Sequence, residues 1–395
     1  MNKTTKSCKR GRSGFVFTIF ILLSLAVSSL AHAEYGLNLT KGVTDFSNEV
    51  FGLHMVILWI CVAIAVLVFG VMIYSMFAHR KSRGVTAAQF SHSTKAEIIW
   101  TIIPIIILVV IAIPSTTALI NMEYPTDENG DKLKMEMTIK VTGYQWKWKY
   151  DYLGEGVSFL STLASDSNEA RQLGSGINPI DVENYLLDVD NPLVIPVDTN
   201  IRFLLTADDV IHSWWVPAFG WKRDTIPGFV NEAWTNVKKV GTYRGQCAEL
   251  CGKDHGFMPV VVIVKSKADY ASWLQDQKGQ QDIAAAKNNT KWTQADLIST
   301  GKKVYDTQCA TCHQTSGAGI EPTFPALDGS VMVNGPMDEQ IKVVVFGKAG
   351  TAMAAYGGML SESDIAAAIT YTRNAWSNTA KDAVQPQDIK RIKNN

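Results

Sequence analysis

Two long apolar stretches constrain this chain more than any other feature. Val50 to Phe77 and Ile98 to Met122 carry no formal charge. Each exceeds the roughly 20 apolar residues a helix needs to cross a hydrocarbon core of about 30 Å. They read as a transmembrane hairpin with helices at about 50–77 and 98–122. Pro104 and Pro114 fall inside the second stretch. They would break a soluble helix, but membrane helices tolerate proline. The connector holds His79, Arg80, Lys81 and Arg83, while Glu123, Asp127 and Glu128 follow the second stretch. This asymmetry puts the connector in the cytoplasm and both outer ends of the hairpin on the opposite side.

The N-terminus agrees with that topology. Lys3, Lys6, Lys9, Arg10 and Arg12 precede an apolar run from Phe15 to Leu30, and Ala31-His32-Ala33 closes it. This is the pattern of a secretory signal peptide over 1–33, cut before Glu34, with an uncleaved anchor as the alternative. The hairpin then occupies 34–124, and the rest of the chain is exported. Formal net charge is zero, so charge gives no reason to expect a nucleic-acid partner.

From about Leu133 to Val264 the pattern changes to short strands. KMEMTIKVTGYQWKWKY, NPLVIPVDTNIRFLLTADDV and MPVVVIVK are rich in β-branched and aromatic residues, with turn residues between them. An antiparallel β-sandwich or Greek-key barrel over 125–265 is expected. Asp151 to Asp190 holds eight acidic residues against Arg171 alone, and reads as an exposed, solvated insertion. The alternative is a negative surface that steers a basic donor.

Of six cysteines, Cys8 leaves with the leader and Cys61 lies mid-hairpin as a small hydrophobe. The other four form two local pairs, Cys247/Cys251 and Cys309/Cys312. In an exported domain each pair could be a disulfide. Their surroundings argue for metal. Cys247, Cys251, His255 and Met258 share one run, CAELCGKDHGFM, and His212 lies upstream in VIHSWWVP. Thiolates, imidazoles and a thioether suit copper. A Cys2His2 zinc site is the competing reading, although a thioether is a poor zinc ligand. Two cysteines that can each bridge suit two copper ions sharing an electron.

The second pair stands in TGKKVYDTQCATCHQ, where Cys309, Cys312 and His313 form the C-x-x-C-H pattern of covalent haem attachment. A thioredoxin-type redox pair is the alternative, but no βαβ pattern surrounds it. Before it, SKADYASWLQDQKGQQDIAAAKNN is polar and reads as a partly helical linker over 266–291. Met332, Met337, Met353 and Met359 are candidates for the second axial ligand.

The run CAELCGKDHGFMP with HSW upstream, the segment EIIWTIIPIIILVVIAIPS, the aromatic run GYQWKWKY and VPAFGWKRDTIPG together resemble subunit II of haem-copper cytochrome c oxidases, from about Gly36 to Val264. The resemblance implies a two-helix hairpin carrying a cupredoxin-like domain with a dinuclear copper centre. In it Cys247 and Cys251 bridge, His212 and His255 each cap one copper, and Met258 and the Glu249 carbonyl are weak axial ligands. It further implies that the Glu249 carboxylate helps hold a magnesium or manganese ion at the boundary with the catalytic subunit. Trp146 becomes the tryptophan through which electrons arrive, Glu97 the mouth of a proton pathway, and Arg223 and Asp224 contacts near the partner's haem propionates. As structural alternatives, Trp146 is a core or edge aromatic and Glu97 an interfacial anchor. The family usually has histidine where Tyr144 stands.

GTAMAAYGGMLSESDIAAAITYTRNAW resembles the last loop and helix of class I c-type cytochromes, which selects Met353 as ligand with Met359 as fallback. Ala354 stands where that family has proline. GAGIEPTFPALDG resembles the loop that packs the histidine side of the haem, near Pro322. A small all-α cytochrome c domain is expected over 292–378, followed by a C-terminal tail over 379–395.

The combined expectation is the electron-entry subunit of a terminal cytochrome c oxidase with a fused cytochrome c domain, caa3-like, spanning the cell inner membrane twice. It passes electrons from the c-type haem through the copper pair to a catalytic subunit that reduces oxygen to water with proton translocation. Its copper and haem domains lie in the periplasm. It is not the oxygen-reducing subunit itself. Its partners are the haem-copper catalytic subunit with other membrane subunits, membrane lipid, and an external donor such as a c-type cytochrome. The competing reading is a membrane-anchored electron shuttle with no oxidase partner. A copper domain of a nitrous-oxide-reducing enzyme fits less well, because such a domain has no use for the hairpin.

Overall fold

The computed structural model describes residues 38–394, apart from 85, 87, 88, 90, 128 and 173. The signal peptide assigned to 1–33, with Ala31-His32-Ala33 and Cys8, lies outside the described residues. The contacts below belong to the unit Lys41–Asn395.

Helix α1 spans Asp45–Ala78 and α2 spans Thr94–Glu123. Both are long and apolar enough to cross a membrane, and their apolar side chains point outward. Helix α1 starts earlier than its hydropathy indicates. The Thr44 hydroxyl accepts from the Ser47 amide in a capping box, and this satisfies the first-turn donors among polar residues. The outer ends of both helices are fastened to the sandwich. The Thr44 hydroxyl donates to the Phe219 carbonyl at 3.0 Å, and Trp234 Nε1 donates to the Met122 carbonyl at 3.0 Å.

Ten strands follow: β1 Met137–Tyr144, β2 Lys147–Tyr152, β3 Val157–Ser161, β4 Leu193–Pro196, β5 Ile201–Ala207, β6 His212–Trp215, β7 Lys222–Thr225, β8 Asn231–Thr235, β9 Gly241–Cys247 and β10 Pro259–Lys265. They form two five-stranded sheets, ordered β3-β2-β1-β5-β8 and β4-β10-β9-β6-β7. Most pairs are antiparallel, but β1 runs parallel to β5 and β10 parallel to β4. Each parallel pair joins strands distant in sequence, so the chain crosses over between them. Alternation sets the faces: Ile201, Phe203 and Leu205 of β5 point inward. They meet Trp214 of β6, which stacks on Phe203 at 5.3 Å and on Trp221 at 5.2 Å.

The acidic segment 151–190 is only partly a solvated loop: 174–183 is mostly exposed, but both ends of the segment are built into the sandwich. It contains β3 and a short helix α3, Ser165–Ala170, and buries Leu160, Leu163, Ala170 and Val189. Its charges have local work. Asp190 accepts from the Thr162 amide and hydroxyl, and Arg171 pairs with Asp254 at 3.2 Å. The linker is ordered as α4, Lys267–Lys287, whose Tyr270, Trp273 and Leu274 pack against the sandwich core.

The last part is helical: α5 Gln294–Gln308, α6 Ala310–His313, α7 Val331–Asn334, α8 Met337–Phe346, α9 Glu362–Asn374 and α10 Pro386–Lys393. Gly301 of α5 sits where an added Cβ would be 2.0 Å from the Ala367 carbonyl, so only glycine permits this close crossing of α5 and α9. The described residues 379–394 are not a tail. Val384, Ile389 and Ile392 are buried with the α8 and α9 side chains, and Arg373 of α9 pairs with Asp382. The helical domain therefore extends to α10.

Candidate metal centre and haem cavity

The sandwich topology assembles donors from three places. His212 opens β6, Cys247 closes β9, and the loop between β9 and β10 supplies Cys251, His255 and Met258. Trp214 pairs with Cys247 across β6 and β9, which brings the His212 end of β6 beside the loop. Gly143 of β1 makes room for the imidazole, since a Cβ there would lie 2.9 Å from His212 Cδ2.

The two sulfurs are 3.8 Å apart and all five cysteines among the described residues are free. Cys247 Sγ lies 4.0 Å from His212 Nδ1 and 3.4 Å from the Glu249 carbonyl oxygen. Cys251 Sγ lies 3.5 Å from His255 Nδ1 and 3.6 Å from Met258 Sδ. The donor atoms of His212, Cys247 and Cys251 are all within 4.8 Å of one another, a set that does not include His255. The histidines thus flank a central sulfur pair. Cys247, Cys251, Met258 and His212 are buried, whereas the Glu249 side chain is exposed.

The electrostatics suit a cation. The neighbouring Cys251 thiol, followed by His212, holds Cys247 well below its ordinary value against the opposing effect of burial. The Cys247 thiolate, followed by burial, pushes Cys251 well above its own. Two thiols this close share one proton, and a bound cation lets both ionise.

A surrounding layer holds the donors, and sequence reading missed most of it. Asp209 Oδ1 lies 3.0 Å from His212 Nε2, and its Oδ2 accepts from the Gln145 amide at 2.7 Å. Burial opposes the charged imidazole, but Asp209 and Cys247 outweigh it and raise the His212 pKa. The Cys251 carbonyl accepts from Gln145 Nε2 at 2.9 Å and Trp146 Nε1 at 3.2 Å, and the Met258 carbonyl accepts from Trp148 Nε1 at 3.3 Å. A carboxylate behind a ligating histidine fixes its orientation, and losing one costs roughly 10–100-fold in metal affinity. Asp209→Ala is therefore expected to weaken copper binding about 10–100-fold in a chelator competition, with the β-sheet circular dichroism retained. Its proximity to His212 in TADDVIH was the available signal.

A cavity of about 580 Å³ lies between the helical domain and the sandwich. Cys309, Cys312, His313 and Met353 line it, with Phe324, Leu327, Ile365 and Ile369 among its apolar walls. Met332 also reaches it, whereas Met337 and Met359 are not among its lining residues. His313 Nδ1 lies 2.9 Å from the Pro325 carbonyl. Burial lowers the His313 pKa against that bond, so the neutral ring donates through Nδ1 and keeps Nε2 as a free lone pair. The orienting carbonyl belongs to Pro325, while Pro322 only lines the cavity. Burial pushes the Cys309 thiol up to about 11. An apolar slot of this size, lined by two free thiols, the His313 imidazole and the Met353 thioether, fits a haem.

The remaining residues are placed as follows. Trp146 is 7 % exposed and meets Phe324 of the cavity wall edge-on at 6.2 Å, so the helical domain covers it. Glu97 is exposed in the first turn of α2. Arg223 pairs with Glu123, at the end of α2. The Asp224 carbonyl accepts from Asn231 Nδ2 at 2.7 Å. Tyr144 is buried at the end of β1, and burial raises its pKa strongly.

Comparison with known proteins gives a consistent assignment along the chain. The family described as "Cytochrome C oxidase subunit II, transmembrane domain" matches residues 32–118, and "Cytochrome C oxidase subunit II, periplasmic domain" matches 137–265. "Cytochrome C oxidase, cbb3-type, subunit III" matches 296–371. A probable cytochrome c oxidase subunit 2 of Rickettsia bellii is 42 % identical over 284 residues, covering 70 % of this chain and 98 % of the relative. Cytochrome c oxidase subunit 2 of Cereibacter sphaeroides is 35 % identical, covering 62 % of this chain and 81 % of the relative. The crystal structure of the periplasmic domain of subunit II of cytochrome oxidase of Bradyrhizobium japonicum is 42 % identical, covering 38 % of this chain and 97 % of that one, with a TM-score of 0.33.

Proposed function

The chain belongs to the cytochrome c oxidase subunit II family, and we propose that it carries electrons from a covalent haem at Cys309, Cys312 and His313 to a dinuclear copper centre. That centre is built from His212, Cys247, Cys251, His255, Met258 and the Glu249 carbonyl. When bound, the haem and the copper pair supply one-electron carriers, and the chain's residues hold them still and dry. Met353 would supply the second protein ligand to the haem iron; Met332 is the only other methionine among the cavity-lining residues. Two histidines flanking a sulfur pair, with His255 outside the close set, suit two bridged metals better than one tetrahedral zinc.

The observation that carries the reading is the wall shared by the two sites. Trp146 donates to the Cys251 carbonyl on one side and meets Phe324 of the haem cavity on the other. Lys253, two residues after Cys251, donates to the Thr311 carbonyl inside the C-x-x-C-H run at 3.4 Å. Tethering replaces diffusional encounter with a fixed contact. The helical domain also occupies the surface over Trp146, so an external donor such as a c-type cytochrome delivers to the haem domain. Trp146 then works inside the chain, between the two centres.

The two apolar helices anchor the protein in the membrane. In this reading the membrane is the cell inner membrane, the 79–93 connector is cytoplasmic, and both redox domains are periplasmic. The partner is the haem-copper catalytic subunit. The exposed Glu249 carboxylate is available to a magnesium or manganese ion at that boundary, Glu97 to a proton path, and Arg223 and Asp224 to the partner's surface. Gentle solubilisation of the membranes should yield this chain together with a multi-helix, haem-bearing protein. Recovery of the chain alone, under conditions that preserve other respiratory complexes, would contradict the oxidase role and favour a free-standing shuttle.

A further inference from the structure

The geometry points to Lys147 as a positioning residue for the haem domain: its buried side chain crosses from the copper-bearing sandwich and ties together the two segments that frame the haem cavity. This rests on the haem reading above and goes beyond it.

Lys147 is the first residue of β2, next to Trp146. It is only 4 % exposed. Its ammonium donates to Gln308 Oε1 at 3.2 Å and to the Tyr356 hydroxyl at 2.8 Å, and sits 4.5 Å from the Tyr356 ring centroid. The Tyr356 hydroxyl in turn donates to the Gln308 carbonyl at 2.9 Å. Gln308 directly precedes Cys309, and Tyr356 lies three residues after Met353. One cation therefore clamps the haem-attachment segment and the methionine loop to the β1–β2 hairpin whose turn carries Trp146.

A buried ammonium is an expensive clamp. Among the described residues Lys147 has no ion-pair partner; its partners are an amide, a hydroxyl and a ring face. Burial pushes its pKa down to about 8, against the opposing pull of nearby acidic groups. A neutral residue would hold such an interface at less cost in desolvation. The retained charge has an electrostatic consequence. A fixed positive charge beside the cavity in a low-dielectric wall favours the less positive, reduced state of a one-electron centre held there. Lys147 thus fixes the position of the haem domain and biases the electron toward the haem. The transfer it serves moves one electron from haem to the copper pair, makes and breaks no bond, and leaves the lysine protonated.

The test uses the full chain with its haem and copper bound. Haem content of the unaltered chain is measured first; absence of covalent haem would overturn the functional reading itself, independently of Lys147. The equilibrium partition of one electron between haem and copper is then read optically. Lys147→Met removes the charge at similar length. It should shift the partition at least tenfold toward copper, equivalent to about 59 mV for one electron, and Lys147→Arg should restore most of it. An unchanged partition in Lys147→Met, or equal shifts in Lys147→Met and Lys147→Arg, overturns the inference. Where Lys147→Met does not accumulate as holoprotein, Tyr356→Phe removes one acceptor and keeps the ring. It should speed amide-hydrogen exchange at Gln308 and Cys309 at least threefold with the copper spectrum unaltered; unchanged exchange overturns the clamp.

Discussion

Replacing Cys251 with serine is expected to abolish the near-infrared band and electron-spin signal of a mixed-valence copper pair while leaving the c-type haem spectrum intact. The sulfur of Cys251 lies between that of Cys247, at 3.8 Å, and the His255 and Met258 donors, at 3.5 and 3.6 Å. It joins the Cys247 sulfur to the His255 and Met258 side of the centre. Serine cannot supply a soft bridging anion, so the loss should exceed the roughly 10–100-fold that outer-sphere changes cause. The haem cavity takes its covalent ligands from a separate helical segment, so its spectrum should not change. Retention of the copper signals in Cys251→Ser would show that the sulfur pair does not bridge two metals.

Met353→Ala carries the second large effect. Met353 and Met359 both pack against the helical core, but of the two only Met353 lines the cavity with His313. A thioether ligand keeps the iron six-coordinate and raises its potential. Removing it should lower the haem potential by on the order of a few tenths of a volt, a fraction of the roughly 0.8 V that axial ligands span. It should also open the iron to exogenous ligands such as cyanide. Met359→Ala should do neither. The reverse pattern, with Met359→Ala alone producing the low potential, would reassign the ligand.

What could be read from the sequence follows from where each signal lies. The hairpin and C-x-x-C-H are local patterns, and so is the Cys247–Met258 run; each declares itself within a short window. The starts of α1 and α2 lie four or five residues before the apolar stretches, because Thr44 and Ser93 cap largely polar first turns that hydropathy does not register. The layer around the copper ligands is non-local. Gln145 reaches the Cys251 carbonyl from 106 residues away, and no spacing rule joins them. Composition misled at the ends of 151–190 and at 379–394. Both are rich in polar residues, yet Leu160, Leu163, Val384, Ile389 and Ile392 supply enough buried side chain to fix them. The Lys147 clamp was hidden for a related reason: in GYQWKWKY the lysine alternates as a surface residue would, and only docking of the helical domain buries it.

Everything above depends on the Cys247/Cys251 loop holding a pair of copper ions and the Cys309/Cys312 segment holding one iron porphyrin. The direct measurement is quantitative metal and haem analysis of the intact, fully matured chain. The account predicts copper and covalent haem in a ratio of two to one, with the copper signals lost on chelation and the haem retained. Zinc at the sulfur pair, or a Cys247–Cys251 disulfide in mature protein that binds no metal after reduction, would contradict it.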